Sequence, residues 1–357
     1  MTEKRGWHRV FLSLFDRSVQ IRKKSLTSLA LRLLGAAICL GVVFYIADFE
    51  QITNSIASCR IGHLIISAIF FAIGALAGGL AWIVILKAMG QTLHFWRAMH
   101  LTLTGFVLNN LIPGGIAGDI YRAYGTSRKG IPAEISAASV ILERWASLVA
   151  LLVATSAADI LAYPMLRDCY IEHNWAPKFL PAALFRLDIV MGIALALLFA
   201  AIFFFTYASV RALKASVKTP LKEEVSRFGA DWHSFKITLE KFTRQKKTFF
   251  TAAAIDLISP FAEGLSFAYA ASALGLELSP YLFLAFIPLF RIISHLPVSG
   301  NAIGPQELLA MLLWKPLGAE AHDAAAVSLL IHGLKILLSF IGLPLLALPI
   351  SPDQKDT

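Results

Sequence analysis

The stretch Leu108–Arg122 combines a broken backbone with charged side chains. It reads Leu-Asn-Asn-Leu-Ile-Pro-Gly-Gly-Ile-Ala-Gly-Asp-Ile-Tyr-Arg, so one proline and three glycines interrupt an apolar run. An acid, Asp119, and a base, Arg122, follow one helical turn apart. In hydrocarbon, such a break is tolerated only where it is buried in protein or lines a polar cavity, because unpaired backbone groups are costly there. The stretch therefore predicts a discontinuous helix that brings charges and free backbone N–H groups together.

A second stretch repeats this order later in the chain. His295–Glu307 reads His-Leu-Pro-Val-Ser-Gly-Asn-Ala-Ile-Gly-Pro-Gln-Glu. Both stretches have leucine and proline close together, then small residues, and then an acid. Paired interruptions in two halves of a membrane protein are typical of transporters built as inverted repeats, whose substrate site lies near the bilayer midplane.

Ionisable residues inside apolar segments are costly and point to function by default. Arg122, Arg144 and Arg291 carry fork-shaped guanidinium groups that suit phosphate, and broken helices direct N–H groups and a positive dipole end at anions. The sequence leaves open whether the acids form internal salt bridges or take up protons. The predicted substrate-binding residues are Asn109, Asn110, Pro113, Gly114, Gly115, Gly118, Asp119, Arg122, Glu143, Arg144, Asp256, Glu263, Arg291, Pro297, Ser299, Gly300, Gly304, Gln306 and Glu307.

Sequence signals for catalysis are weak. The chain has no nucleophile elbow, no P-loop, no dinucleotide fingerprint and no His-Glu-x-x-His. Its nine histidines are scattered. We therefore expect no catalytic residue, no cofactor and no metal site.

Composition excludes an ordinary soluble domain. Of the 357 residues, 57% are hydrophobic and only 15% are charged, whereas soluble domains carry about 25% charged residues. The chain's apolar stretches are long enough for helical spans, which need roughly 20 residues each. The sequence predicts an all-α polytopic membrane protein.

The net charge of +9 is concentrated in two places, the N-terminus and one central loop. The positive-inside rule explains both as cytoplasmic segments, so nucleic-acid binding is the wrong interpretation. We expect both termini in the cytoplasm, a location in the cell inner membrane, and contact of the basic segments with anionic lipid headgroups.

These signals divide the chain into five segments. About six full spans and two re-entrant or broken-helix elements are expected, arranged as an inverted repeat. The segments are a basic amphipathic leader (residues 1–28), a first transmembrane half (29–207) with a re-entrant element (96–130), a basic amphipathic loop (208–247), a second transmembrane half (248–350) with a broken element (278–320), and a cytoplasmic tail (351–357).

Three local features refine this layout. Small residues in the span of about His63–Leu86 predict close helix packing. The span near Ile135–Leu161 is expected to end before Pro164, in an outer loop. A later span is expected to be interrupted at Ser259-Pro260, because proline removes a backbone donor. Whether Cys59 and Cys169, both expected on the far side, form a disulfide is left open.

Together these motifs resemble the lysylphosphatidylglycerol synthase transmembrane-region family, also described as flippase-like membrane proteins. Two departures from the family pattern are Ser147, where relatives commonly carry an acid, and Pro305, at an expected helix start. The residues that carry the resemblance are Pro113, Gly114, Gly115, Gly118, Asp119 and Arg122, then Glu143 and Arg144, and finally Leu296, Pro297, Ser299, Gly304 and Glu307.

The resemblance implies lipid binding and translocation between leaflets. The substrate would be a polar or anionic lipid such as a phospholipid, a glycolipid or an isoprenoid lipid. The family's synthases add a soluble aminoacyl-transfer domain, which is not expected here, so the chain is not expected to be an enzyme. Two alternatives stay open: a scaffold or accessory subunit for lipid-biosynthetic enzymes, and an intramembrane enzyme that uses an acid such as Asp119 or Glu307 as a base. The sequence leaves the lipid, direction, energy source and oligomeric state open.

Overall fold

The computed structural model describes residues 22–111, 117–172, 246–295 and 302–346. Within these ranges the chain is all-helical, which confirms the predicted class. The helices are α1 (Arg22–Ala47), α2 (Phe49–Ala57), α3 (Ile61–Ala88), α4 (Phe95–Leu111), α5 (Ala117–Arg128), α6 (Ala133–Glu172), α7 (Lys246–Asp256), α8 (Ile258–Ala273), α9 (Pro280–His295), α10 (Pro305–Trp314), a 3-10 turn (Lys315–Leu317) and α11 (Ala321–Leu346).

Three of the described helices contain stretches long and apolar enough to cross a membrane. They are Ile61–Ala88 in α3, Ala133–Ala162 in α6 and Ala321–Phe340 in α11. The outer face of α3 carries exposed isoleucines at every fourth position, Ile61, Ile65, Ile69 and Ile73. A stripe of exposed apolar side chains along one helix face suits contact with lipid chains rather than water.

The opposite face of α3 is built from small residues and packs against α7 and α8. A Cβ atom added to Gly74 would lie 3.3 Å from the backbone oxygen of Ser259, and one added to Gly78 would lie 3.4 Å from Oδ1 of Asp256. The prediction that small residues allow close packing here is confirmed. This contact also places the buried Asp256 against the middle of α3.

Helices α4 and α5 form an antiparallel hairpin around the first broken stretch. Gly105 of α4 and Gly118 of α5 meet so closely that a Cβ atom on Gly118 would overlap the carbonyl of Gly105. Farther from the turn, a Cβ atom on Gly125 would overlap the side chain of Leu101. The hairpin brings Asp119 and Arg122 back beside α4. The interruption itself, residues 112–116, lies outside the described residues.

The expected interruption at Ser259-Pro260 is confirmed as a break between α7 and α8. The break falls at Leu257, whose φ and ψ of −58° and −26° remain helical. In an unbroken helix the backbone N–H of residue 260 would bond to the carbonyl of Asp256, and Pro260 lacks that N–H. The missing donor therefore frees a carbonyl beside the Asp256 carboxyl group.

The apolar span in α6 ends at Ala162, close to the predicted end near Leu161, but the prediction that an outer loop begins before Pro164 is wrong. Helix α6 continues through Pro164 to Glu172. Proline removes a single backbone hydrogen bond, and membrane helices tolerate this loss when neighbouring groups compensate. Residues 173–245, including the basic loop 208–247, lie outside the described residues, as do residues 1–21 of the leader. Cys59 carries a free thiol.

An aromatic cluster joins α8, α9 and α10. The rings of Phe267, Phe283 and Phe290 surround Trp314, with centroid distances to the indole of 6.3, 5.0 and 5.9 Å. All four residues are almost completely buried. Since Trp314 ends α10, this packing fixes the helix whose first turn carries Glu307.

Candidate functional site

The first group of charges joins the α4–α5 hairpin to α6. Arg144 donates two hydrogen bonds to Asp119, from Nε to Oδ2 at 2.9 Å and from Nη2 to Oδ1 at 2.7 Å. Arg122 donates from Nη1 to Oε2 of Glu143 at 3.0 Å. Glu143 and Arg144 are sequence neighbours, and each holds one charged residue of α5. The Glu-Arg pair therefore clamps the first turns of α5.

Arg122 contacts Trp82, Glu143 and, at 3.6 Å from Nη1, Oδ1 of Asp119, yet part of its guanidinium group is unpartnered. Its Cζ atom lies 4.1 Å from the centroid of the Trp82 ring, within the range of a cation–π contact. The indole is itself fixed, because its Nε1 donates to Oγ of Ser139 at 3.0 Å. The Arg122 side chain is only 6% exposed. Its Nε and Nη2 atoms have no hydrogen-bond partner among the residues that the structure describes.

Asp256 lies between the two groups of charges. It is 1% exposed, and it interacts electrostatically with Glu143 and Arg144 on one side and with Arg291 on the other. Its side chain also interacts with Ser147, one helical turn after Glu143. Its Oδ2 atom has no hydrogen-bond partner within the described ranges. Ser147 thus occupies the position where an acid would repel Asp256.

The second group begins at the break between α7 and α8. Arg291 of α9 donates to Oε2 of Glu263 from Nε at 2.9 Å and from Nη2 at 2.7 Å. Its Nη2 atom is also 3.5 Å from Oγ of Ser259. Lys335 of α11 interacts electrostatically with Glu263, Arg291 and Glu307. The charges of α8, α9 and α11 therefore form one connected set.

Glu307 anchors the second broken stretch and is fully buried. Its Oε2 accepts from the backbone N–H of Gly304 at 2.6 Å. Its Oε1 accepts from Ser328 Oγ at 3.1 Å and lies 2.7 Å from Nδ1 of His332. Gln306 donates to Ser328 at 3.1 Å. One carboxylate thus ties the start of α10 to α11.

Helix α10 begins at Pro305, where the sequence analysis expects a helix start. Pro305 occupies the first turn and Gly304 precedes it with a φ of +95°, a conformation that glycine adopts without strain. Proline is well placed at this position because its missing N–H is not needed there.

The structure brings the predicted charged residues together in one connected network, which is largely buried except at Arg144, whose side chain is 41% exposed, and at Arg291, whose side chain is 25% exposed. Gln306 and Gly304 belong to it. Asn109 and Gly118 instead stabilise the hairpin, since Gly118 donates its backbone N–H to Asn109 Oδ1 at 2.7 Å. The predicted residues outside the described part, either entirely or in their side chain, are Asn110, Pro113, Gly114, Gly115, Pro297, Ser299 and Gly300.

Sequence reasoning missed four members of the network: Trp82, Ser328, His332 and Lys335. The last three are spaced four and three residues apart on α11, so they share a helix face. That spacing of polar residues inside an apolar span was a usable signal. Trp82 had no such signal, since its role depends on the approach of α5. No group of three His, Cys, Asp or Glu side chains able to hold a metal ion occurs in the described segments.

Comparison with known proteins places the chain in one family. The family described as lysylphosphatidylglycerol synthase TM region matches residues 29–342, which is most of the chain. The match is to this membrane region, and no catalytic domain was found with it. No curated protein matches the chain.

Proposed function

This chain belongs to the lysylphosphatidylglycerol synthase TM region family, and we propose that it binds a polar or anionic membrane lipid and moves it between leaflets. The lipid class comprises phospholipids, glycolipids and isoprenoid lipids. The proposed role is transport rather than catalysis. The observation that carries the proposal is the buried network of acids and bases that joins the α4–α5 hairpin, α6, α7, α8, α9, α10 and α11.

The burial of this network supports a ligand-binding role. Charged groups inside a membrane protein are expensive and persist where they pair with one another or serve a pathway. Within the network, five acids interact with four bases. The acids are Asp119, Glu143, Asp256, Glu263 and Glu307, and the bases are Arg122, Arg144, Arg291 and Lys335. Unpartnered polar atoms on Arg122, Asp256 and Gln306 keep hydrogen-bonding capacity that a headgroup could use.

Two interrupted elements support translocation in particular. Helix breaks at membrane depth are typical of transporter substrate sites. The proposed arrangement has about six full spans and two broken elements related by an inverted repeat. We place the protein in the cell inner membrane with both termini in the cytoplasm, because the distribution of lysine and arginine favours this orientation. The bilayer lipids, including anionic headgroups at the cytoplasmic face, are its proposed partners.

A vesicle assay tests this function. The protein is reconstituted into vesicles of phosphatidylcholine and phosphatidylglycerol that contain a fluorescent phospholipid, and dithionite quenches the label in the outer leaflet. We expect the wild type to expose inner-leaflet lipid at least about tenfold faster than protein-free vesicles, which corresponds to about 1.4 kcal/mol. Asp119→Asn and Glu307→Gln should lose most of this acceleration, because each breaks the charge network.

The matched control is Glu320→Gln, since Glu320 is an exposed acid outside the network. It should transport like the wild type. The proposal fails if folded wild-type protein moves labelled phospholipid, glycolipid and isoprenoid lipid no faster than protein-free vesicles. It also fails if the network variants match Glu320→Gln.

A further inference from the structure

The arginines of the network differ in how their guanidinium edges are used. The Nε and Nη2 atoms form the edge that receives a planar oxyanion with two parallel hydrogen bonds. In Arg144 and Arg291 a carboxylate fills this edge. In Arg122 the same edge has no partner in the described part of the chain, although the side chain is 6% exposed. Arg122 is therefore set up for one more oxyanion.

The surroundings of Arg122 fix where that oxyanion would bind. Trp82 covers one face of the guanidinium at 4.1 Å, and Glu143 takes Nη1 at 3.0 Å. Ser139 holds the indole in place. The guanidinium therefore cannot turn freely, and its unpartnered edge keeps one direction.

The local charge argues against a purely anionic ligand. Asp119, Glu143 and Asp256 carry three acidic groups, whereas Arg122 and Arg144 supply two positive charges. Asp256 is 1% exposed, and its Oδ2 atom accepts no hydrogen bond within the described residues. This acceptor suits a positively charged hydrogen-bond donor. An oxyanion and an ammonium group, bound together, would add no net charge.

The two unpartnered groups belong to one site. Arg122 bonds Oε2 of Glu143. The other oxygen of Glu143 and Oδ1 of Asp256 both approach the same point beside Gly78, at 3.9 and 3.4 Å. Gly78 has no side chain to separate the two carboxylates. The side chains of Arg122 and Asp256 therefore both lie beside a single carboxylate, that of Glu143.

We propose that the Nε–Nη2 edge of Arg122 and Oδ2 of Asp256 form a two-point site for a phosphate that carries a primary ammonium group, the chemistry of phosphoethanolamine. This rests on the proposed function and narrows its substrate to a zwitterionic headgroup. A primary ammonium donates hydrogen bonds to Asp256, whereas the quaternary ammonium of phosphocholine has no N–H to donate. Phosphatidylglycerol supplies the phosphate but no cation.

Binding in detergent micelles tests the site separately from transport. Calorimetry would compare four short-chain probes: dihexanoyl phosphatidylethanolamine, dihexanoyl phosphatidylcholine, dihexanoyl phosphatidylglycerol and dioctanoylglycerol. We expect the phosphatidylethanolamine to bind at least about tenfold more tightly than each of the others, because only this probe can form charge-assisted hydrogen bonds at both ends of the site. Equal affinity for phosphatidylethanolamine and either of the other two phospholipids would overturn the proposal.

Soluble probes identify the source of the ligand. Phosphoethanolamine and inorganic phosphate would be titrated under the same conditions. Weak binding of both, beside tight binding of the lipid, assigns the site to a lipid headgroup. Phosphoethanolamine that binds as tightly as the lipid supports the same site with a soluble ligand. Inorganic phosphate that equals both would overturn the role of Asp256.

Two substitutions divide the site into its halves. Arg122→Lys keeps the charge but loses the fork, and it should weaken phosphatidylethanolamine binding about 10- to 100-fold. Asp256→Asn should abolish the preference for phosphatidylethanolamine over phosphatidylcholine. Arg128→Lys changes an exposed arginine on the same helix and should leave affinity unchanged. Wild-type affinity in Arg122→Lys, or wild-type preference in Asp256→Asn, would refute the site.

A further variant covers the case in which Arg122→Lys does not fold. Trp82→Leu leaves the guanidinium in place and removes the ring beneath it, so phosphatidylethanolamine affinity should fall about 3- to 30-fold. Unchanged affinity would contradict the proposal. If selective binding is found but labelled lipid does not cross vesicles, the transport function fails and the site stands.

Discussion

Replacing Glu307 by alanine should unlock the start of α10 from α11. The carboxylate is fully buried and contacts three polar groups: the backbone N–H of Gly304 at 2.6 Å, Ser328 Oγ at 3.1 Å and His332 Nδ1 at 2.7 Å. In Glu307→Ala these groups lose their common partner inside the bundle. Each buried polar group left unsatisfied costs about 1–3 kcal/mol. For the three groups together, the variant should therefore be destabilised by about 3–9 kcal/mol.

Replacing Glu307 by glutamine keeps the shape of the side chain and changes only its hydrogen bonding. In Glu307→Gln the amide oxygen can still accept from Gly304, while the amide NH2 group must face Ser328 or His332. His332 can then accept if its other nitrogen carries the proton. The expected loss is smaller, about 1–2 kcal/mol, and the order of stability is wild type, then Glu307→Gln, then Glu307→Ala.

Thermal unfolding in detergent micelles measures this order. For a chain of this size the alanine variant should melt about 4–12 °C below the wild type. Glu320→Ala is the matched control, because Glu320 is an exposed acid directly before α11, and its melting temperature should stay within about 1 °C of the wild type. A Glu307→Ala protein that melts with this control would refute the argument that Glu307 ties α10 to α11.

Two further substitutions test the close contacts elsewhere in the bundle by the same melting assay. Gly118→Ala should lower the melting temperature by several degrees, because the new Cβ atom would overlap the carbonyl of Gly105. The control Gly62→Ala should not lower it, because a Cβ atom there has nothing within 4 Å. Equal effects of the two substitutions would contradict the hairpin packing. Asp256→Asn should melt at or above the wild-type temperature, because it removes a buried acid that lacks a hydrogen-bonding base. If the substitution instead lowers the free energy of unfolding by more than about 2 kcal/mol, the charge stabilises the fold and this reasoning is refuted.

The helical class and the charged members of the network were predictable from the sequence. Apolar stretches long enough to span a bilayer leave few alternatives to helices, and the cost of burying charge marks residues such as Asp119 and Glu263. The break at Pro260 was also predictable, since a missing backbone donor acts locally. Each of these signals reflects a free-energy cost that is set by the residue type itself and does not depend on which residue it contacts in the fold.

The partners within the network were not predictable, because they depend on tertiary packing. Arg122 pairs with Glu143 while Arg144 pairs with Asp119, and no spacing distinguishes this arrangement from the reverse. Trp82 reaches Arg122 only because the glycines of α4 and α5 let the hairpin close. Pro164 shows the opposite error, since a residue that usually ends a helix is carried within one. Local propensity was overruled there by the long apolar helix around it.

Lipid mass spectrometry on the purified protein shows whether the charge network holds a specific lipid. Wild-type protein and an Arg122→Lys/Glu307→Gln variant, chosen because these substitutions disturb the fold least, would be purified side by side in mild detergent, with Glu320→Gln as the control. We expect one lipid class to be enriched with the wild type and with the control, relative to the bulk membrane, and to be lost from the double variant. The same unselective lipid profile in all three proteins would contradict it, and the buried charges would then serve only to hold the helices together.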